Sequence, residues 1–274
     1  MKKTNRVAGV LLGILMCGMC GCSRLYTAEA VLVDEDETYE KEQHDSVYEQ
    51  LTDRASWYEG EGEPEVSVLY LTVGKGSAEA GTDHTWAEVN ARPLSWYEEN
   101  GIKPYRCEAV LQEGGETGPL AAGFGYGERV ANATVCLRGS GASGQPQKSY
   151  RIDIKKGKGK WDGQKTVLLN KHAADPVRFK NRLAYSLMQE IPSMFSARTR
   201  FVHLYVKDKT EGEDGLFRDY GLYTAVEQIN KTYLKNHGLD NGGQLYQAEE
   251  FDWGLHEDSL VPATSPQYDD PCEA

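Results

Sequence analysis

Alternating apolar and polar positions predict a series of β-strands from residue 65 onward. The first is EVSVLYLTV (65–73), where β-branched and aromatic residues recur as they do in a strand with one buried face. Turn-forming residues separate it from the strands that follow. These are YRCEAVLQ (105–112), ANATVCLR (131–138), KSYRIDI (148–154), TVLLN (166–170), RTRFVHLYVKD (198–208), RDYGLYTAVEQ (218–228) and QLYQAE (244–249).

A helical pattern interrupts the strands after Asp175-Pro176. Asp is a favoured N-cap residue and Pro is favoured at the first helical position, so a helix is predicted to begin here and to end at Pro192. A four-residue repeat gives this helix one apolar face, formed by Phe179, Leu183, Leu187 and Ile191. A short helix, KTYLKNH (231–237), follows an Asn230 cap.

The order of these elements predicts an α+β fold. A mostly antiparallel sheet is expected to bury one face against the long helix, because each element must cover its apolar side. A chain of 274 residues has room for one large domain or two small ones.

The first 22 residues have the composition of a lipoprotein-type signal peptide. A basic start, MKKTNR, precedes an apolar run that is short for a membrane span and ends in Gly21-Cys22. Cys22 is the predicted lipidation site, which places the protein on the extracytoplasmic face of the membrane. Met19 and Cys20 are atypical before that pair, so an uncleaved anchor and an ordinary secretory signal are alternatives.

Residues 23–63 are predicted to be a disordered acidic tether, followed by a domain at 64–274. Between Glu29 and Glu65 there are 14 acidic residues against Lys41 and Arg54, which accounts for the net charge of −12. A stretch with this much charge cannot bury enough apolar area to offset the conformational entropy that it would lose on folding. The acidity also argues against nucleic acid as a partner.

The cysteines and histidines do not have the spacing of a metal site. Outside the signal segment the cysteines are Cys107, Cys136 and Cys272, without a C-x-x-C pair or a nearby histidine cluster. Cys107 and Cys136 are interpreted either as two buried free thiols or as a disulfide pair.

The segment RGSGASGQPQKSYRIDI (138–154) contains Gly139, Gly141 and Gly144 in the spacing G-x-G-x-x-G. A dinucleotide-binding loop opens a helix, whereas this loop joins two predicted strands. It is therefore either a nucleotide-covering loop of the protein-kinase kind or a mobile hairpin. Four lysines beyond it form a phosphate patch or a solvated hairpin tip: Lys155, Lys156, Lys158 and Lys160.

Several blocks, in order, resemble the CotH kinase family, named for a spore-coat protein. They are FGYGE, ATVCLRG, PQKSYRIDI, LNKH with the helix that follows, ARTRFVHLYVKD, DYGLYTAVEQINKTYLKNHGLD and GQLYQAE. The resemblance runs from about Val66 to the end of the chain. It implies a fold like the N-lobe of an atypical protein kinase, with ATP and Mg²⁺ as cofactors and phosphoryl transfer to protein hydroxyls.

The resemblance also implies a nucleotide-binding set. Arg138 and Gly139 begin the loop, with Gly141 and Gly144 inside it, and Lys148 and Arg151 follow as candidate phosphate contacts. Because the two cations are three residues apart on a strand, they are expected on opposite faces of the sheet.

Two glutamates complete the set. Glu190 matches a helix glutamate that pairs with a cation, or is an exposed helix-end carboxylate. Glu227 lies near the adenine, or is a solvated strand carboxylate. At 141 and 142 the family's usual polar residues are replaced by Gly and Ala, so a hydroxyl contact is lost there.

The resemblance also sets an expectation about activity. Asp252-Trp253-Gly254 is not interpreted as a metal-binding motif, because no Asp-and-Asn catalytic loop precedes it. The family's second lobe, with catalytic and metal-binding aspartates, is expected beyond residue 274, so no catalytic residue or metal ligand is assigned. One hypothesis is an envelope-tethered relative of protein Ser/Thr kinases, inactive in this form. The other is a non-catalytic surface or spore-coat module that binds protein.

Overall fold

The structure is a computed structural model that describes residues 53–59, 66–191, 194–212, 215–242 and 245–246. The predicted signal segment with Cys22, most of the tether, Asp252-Trp253-Gly254 and Cys272 lie outside the described residues, as does most of the predicted strand at 244–249. Among the described residues, no helix has the length and apolar character needed to cross a membrane.

Eight strands and five α-helices form the described part. The strands are β1 Ser67–Gly74, β2 Cys107–Gly115, β3 Gly118–Pro119, β4 Ala133–Arg138, β5 Ser149–Ile154, β6 Thr166–Asn170, β7 Thr199–Asp208 and β8 Arg218–Val226. The helices are α1 Trp86–Ala91, α2 Leu94–Glu99, α3 Ser140–Ser143, α4 Lys180–Gln189 and α5 Lys231–Asn236, and a 3-10 helix spans Ala55–Tyr58.

The strands form one mixed sheet in the order β1-β7-β8-β6-β5-β4-β2-β3. β1 runs parallel to β7, whereas the other neighbouring pairs are antiparallel. β1 also pairs with β2 over seven residue positions, from Val68–Gly114 to Gly74–Glu108. This second pairing closes the sheet on itself through seven strands and leaves β3 as an appended strand.

The main hydrophobic core lies inside the closed sheet. Leu69, Leu71 and Val73 of β1 are fully buried, and they alternate with less buried residues as the sequence pattern predicts. Three buried residues of the neighbouring strand β7 pair with alternate residues of β1, namely Val202, Leu204 and Val206. Trp86 and Val89 of α1 pack against the same core.

The predicted α+β fold, a sheet packed on one long helix like a kinase N-lobe, is wrong. The structure is a large mixed sheet with only small helices. Side chains of the sheet and of α1 fill the interior of the closed sheet, so α4 is not needed to cover its apolar face. The expected apolar face of α4 is accordingly 40 to 51% exposed, at Phe179, Leu183, Leu187 and Ile191.

The predicted start of this helix is also wrong. α4 begins at Lys180 because Arg178 adopts a positive φ of 55°, which interrupts a helix. The Asp175 carboxylate instead accepts hydrogen bonds from the backbone N–H groups of Val177 and Lys180. The prediction for α5 is confirmed, since the Asn230 side chain accepts from the N–H groups of Thr232 and Tyr233.

A second, smaller core joins α4 and α5. Ala197, Val226, Tyr233 and Leu234 form its buried centre, and partly buried side chains pack around them, namely Tyr185, Phe195 and Leu239. Elsewhere, Cys107 and Cys136 are free and buried. Burial raises the pKa of the Cys107 thiol to about 12, so it stays protonated near neutral pH.

Candidate nucleotide-binding cavity

The glycine-rich segment is an ordered connection between β4 and β5. Gly139 has a φ of 79°, in the left-handed region that glycine tolerates best, and the chain then makes the single turn α3. The Ser143 hydroxyl donates to the Ser140 carbonyl and accepts from the Leu94 N–H. These bonds attach the loop to α2 and fix its conformation. The strands predicted on both sides of the loop are present as β4 and β5.

Lys148 and Arg151 point to different sides of the sheet. Lys148 lines a cavity, and its ammonium donates to the Ser143 carbonyl at 2.6 Å. Arg151 is exposed and pairs with Asp153, with 3.0 Å from its Nε to the carboxylate. The structure therefore gives the two candidates different surroundings, and only Lys148 faces the cavity.

The cavity has a volume of about 560 Å³ and lies between α1, the glycine loop and β8. Its aromatic wall consists of Trp86, Tyr150, Tyr220 and Tyr223. Two hydrogen bonds hold this wall, from Trp86 Nε1 to the Tyr220 hydroxyl at 2.9 Å and from the Tyr150 hydroxyl to Asn90 at 2.8 Å. The cavity thus combines fixed aromatic groups with a cation.

A second cation of the cavity, Lys171, was not among the predicted site residues. It follows β6 directly and is only 6% exposed. Its ammonium donates to the Tyr220 carbonyl and lies 4.2 Å from the centre of the Tyr223 ring. Burial, reinforced by Arg178, lowers the pKa of Lys171 to about 8. Such a desolvated cation binds anions more strongly than a solvated one does.

Arg178 supports the same side of the cavity. It donates to the Lys171 carbonyl and, through its other terminal nitrogen, to the Gln147 side chain, both at 2.6 Å. Lys148, Lys171 and Arg178 therefore form a cationic group around the end of the glycine loop. Arg138 has a different role, since its half-buried guanidinium donates to the Asn170 side chain.

The two aspartates of the cavity already have hydrogen-bond partners. Asp208 accepts from the N–H and hydroxyl of Thr210, and Asp219 accepts from His203 and the Gly221 N–H. The His203 bond lowers the pKa of Asp219. Among the described residues, no group of three or more His, Cys, Asp or Glu could hold a metal ion.

The two candidate glutamates, Glu190 and Glu227, are not among the residues that line the cavity. Glu190 is the exposed C-cap residue of α4. Glu227 is 2% exposed and lies next to His237, with 3.0 Å between its carboxylate and Nε2. This burial excludes the solvated carboxylate considered from the sequence, and the adenine contact stays a prediction.

His237 is the centre of a buried network that we call the His237 clasp, formed by Asp53, Trp57, Tyr58, Glu227 and His237. Its Nδ1 lies 2.7 Å from Asp53, and Trp57 Nε1 lies 3.1 Å from both Glu227 oxygens. The Tyr58 hydroxyl lies within hydrogen-bond distance of two acceptors, the Asp53 carboxylate and the Ser196 carbonyl. The clasp therefore holds residues 53–59, part of the predicted tether, against the domain.

The lysine-rich hairpin beyond β5 is engaged with carboxylates. Lys155 forms an ion pair with Glu108, and Lys158 pairs with Glu128 at 3.0 Å. Lys156 and Lys160 are exposed. These contacts favour the hairpin-tip interpretation over a dedicated phosphate patch.

The fold and the cavity define a closed-sheet protein with an aromatic, cationic pocket beside a glycine loop. The family model described as CotH kinase protein matches residues 135–271, which is half of the chain. The chain therefore belongs to the CotH kinase family, as the sequence blocks predict. No curated protein matches the chain.

The sequence contained a signal for Lys171, since it belongs to the block LNKH and directly follows a buried apolar strand. A lysine in that position is rarely buried without a polar function. The aromatic wall had no comparable signal, because its four members come from three distant segments.

Proposed function

We propose that the cavity binds the phosphates of ATP, and that the protein is a kinase-like member of its family acting on protein hydroxyls at the cell envelope. The observation that carries this proposal is the buried residue Lys171, which lines the same aromatic-walled cavity as Lys148. Two fixed cations match the chemistry of a polyphosphate.

The residues present fit ATP in size and in chemistry. A volume of about 560 Å³ lies within the usual range of small-molecule sites. The aromatic wall suits a purine ring, and the lysines neutralise phosphate oxygens without a large reorganisation. Bound ATP would supply the transferable phosphoryl group, while Lys148 and Lys171 would hold and orient it. The proposal contains no step at a metal.

Calorimetry with ATP on the full chain tests this site. Lys148→Ala is expected to weaken ATP binding by about ten- to a hundredfold, because one charge-assisted contact contributes roughly 1.5–3 kcal/mol. Lys158→Ala is the matched control, since this lysine pairs with Glu128 in the hairpin. Equal losses in the two variants would mean that the loop is only a turn.

We also propose that the protein is attached to the outer face of the membrane through Cys22, with the spore coat as the alternative location. The basic start, the short apolar run and Gly21-Cys22 support this. Radiolabelled palmitate should enter the wild-type protein and not Cys22→Ala. Equal labelling of both would refute lipidation at this residue.

A further inference from the structure

Another cavity lies on the outer face of the sheet, where β7, β1 and β2 are neighbours. It has a volume of about 470 Å³, and we call it the β1 groove. Thr72 and Gly74 of β1 line it, and Thr72 pairs with Val110 of β2 and Lys207 of β7, which line it too. Because side chains alternate along a strand, these residues point away from the core. In the part of the chain that the structure describes, the groove shares no lining residue with the candidate nucleotide-binding cavity.

Among the described residues, four cations line the β1 groove, and they come from three segments of the chain. Lys75 follows β1, Arg129 precedes β4, and Lys207 and Lys209 lie at the end of β7 and directly after it. The whole chain has a net charge of −12. The cations of the groove are therefore a local exception to the charge of the protein.

The described carboxylates that line the groove, Glu108 and Glu128, already have partners outside it. Glu108 forms an ion pair with Lys155 and also accepts from the Thr82 hydroxyl at 3.3 Å. Glu128 pairs with Lys158 at 3.0 Å. Since these lysines offset the two negative charges, the four lining cations give the groove a positive potential.

The two lysines of β7 have a defined spacing. The Lys207 ammonium lies 4.5 Å from the centre of the Phe217 ring, and both residues line the groove. The Lys209 N–H donates to the Val73 carbonyl at 2.9 Å, so the pairing of β7 with β1 continues through this residue. Positions 207 and 209 are therefore alternate residues of an extended chain, about 7 Å apart.

We infer that the β1 groove binds an acidic segment of a partner protein in an extended conformation. Carboxylates at alternate positions of an extended peptide are also about 7 Å apart, which matches Lys207 and Lys209. Lys75 and Arg129 provide cations for further carboxylates, and the guanidinium can bind one in a bidentate way. The net charge of the chain disfavours the other common polyanion, nucleic acid. This interaction does not depend on the proposed binding of ATP.

Fluorescence anisotropy of the full chain with a labelled octapeptide of alternating Glu and Ser tests the inference. This peptide should bind at least about tenfold more tightly than the same peptide with Gln in place of Glu, because the charge-assisted contacts need carboxylates. Equal affinity for the two peptides, or no binding of the Glu peptide, would overturn the inference. A preference for an octapeptide with phosphoserine in place of Glu would assign the groove to phosphate groups instead, and would overturn it too.

Reversal of one charge locates the bound peptide. Lys207→Glu should weaken binding of the Glu peptide at least about tenfold, because an attraction is replaced by a repulsion. Lys156→Glu makes the same change of charge at an exposed lysine that does not line the groove, and it should change the affinity less than about threefold. Equal effects of the two substitutions would contradict binding in the groove.

Gly74→Leu distinguishes a groove from a diffuse charged surface, because it leaves the charge unchanged. A Cβ atom at Gly74 would meet no atom beyond its chain neighbours within 4 Å, so leucine can extend into the groove without a clash. It should weaken binding of the Glu peptide about tenfold, whereas the short side chain of Gly74→Ala should leave the affinity unchanged. Wild-type affinity in Gly74→Leu would show that the peptide does not occupy the groove.

Discussion

Replacing His237 with alanine is expected to lower the free energy of unfolding by about 3–5 kcal/mol, the usual cost of removing one partner from a buried ion pair. His237 is fully buried and lies between Asp53 and Glu227, at 2.7 and 3.0 Å. Without the imidazole, two carboxylates with little access to water lose the cation between them. Residues 53–59 are expected to detach first, because Asp53 belongs to that segment.

Urea denaturation of the full chain measures this effect. His203→Ala is the control, because His203 pairs with an exposed aspartate, at 2.7 Å, with side chains 33 and 58% exposed. Such a pair contributes only about 0–1 kcal/mol. If His237→Ala lowered the free energy of unfolding as little as His203→Ala does, the His237 clasp would not be a stabilising element.

The His237 clasp also gives a direction of pH dependence. Burial alone would lower the pKa of His237, but its hydrogen bonds to Glu227 and Asp53 outweigh burial and raise the pKa above its ordinary value of 6.5. The imidazolium contribution is therefore complete below pH 6.5 and is lost as the pH rises through the higher value of the folded state. Tyr58 and Tyr233, which also face His237, have pKa values raised by burial and remain neutral in this range. Wild type should lose more stability on the alkaline side of pH 6.5 than His237→Ala does.

Replacing Lys171 with methionine is expected to reduce ATP affinity by about a hundredfold, since a buried charge-assisted contact contributes roughly 3 kcal/mol. Methionine keeps much of the contact with the Tyr223 ring, so packing is largely preserved. Because burial lowers the pKa of Lys171 to about 8, the ammonium becomes neutral as the pH rises through that value. Wild-type affinity should therefore fall above pH 8, measured by titration calorimetry.

Lys156→Met is the matched control for this substitution, because Lys156 is exposed in the hairpin beyond β5. It should change ATP affinity less than about threefold, as expected for a solvated surface charge. A wild-type affinity that is constant from pH 7 to pH 9 would contradict a contact between the phosphates and Lys171.

The sequence predicts the strands well because their signal is local. Alternation identifies β1, β5 and β7 to within one or two residues. β3 is only two residues long, so it has no periodicity to detect. The packing of α4 could not be predicted in the same way. It depends on the closure of the sheet between β1 and β2, which is a long-range pairing.

The residues of the candidate site also differ in whether local geometry or long-range contacts determine their position. Strand alternation predicts that Lys148 and Arg151 lie on opposite faces of the sheet, because this needs only local geometry. Lys171 becomes a site residue through burial against Tyr220 and Tyr223, about fifty residues further along the chain. Glu227 meets Trp57, 170 residues away in sequence, so its role in the clasp follows from the tertiary structure alone.

Covalent labelling with an acyl-phosphate derivative of ATP tests the nucleotide site most directly. This reagent transfers its acyl group to a lysine amine beside the bound phosphates and releases the nucleotide, and mass spectrometry then identifies the lysine. In the full chain we expect the label on Lys148 or Lys171, and we expect excess ATP to suppress it. Label confined to Lys155, Lys156, Lys158 and Lys160, or labelling that ATP does not suppress, would contradict a nucleotide site in this cavity.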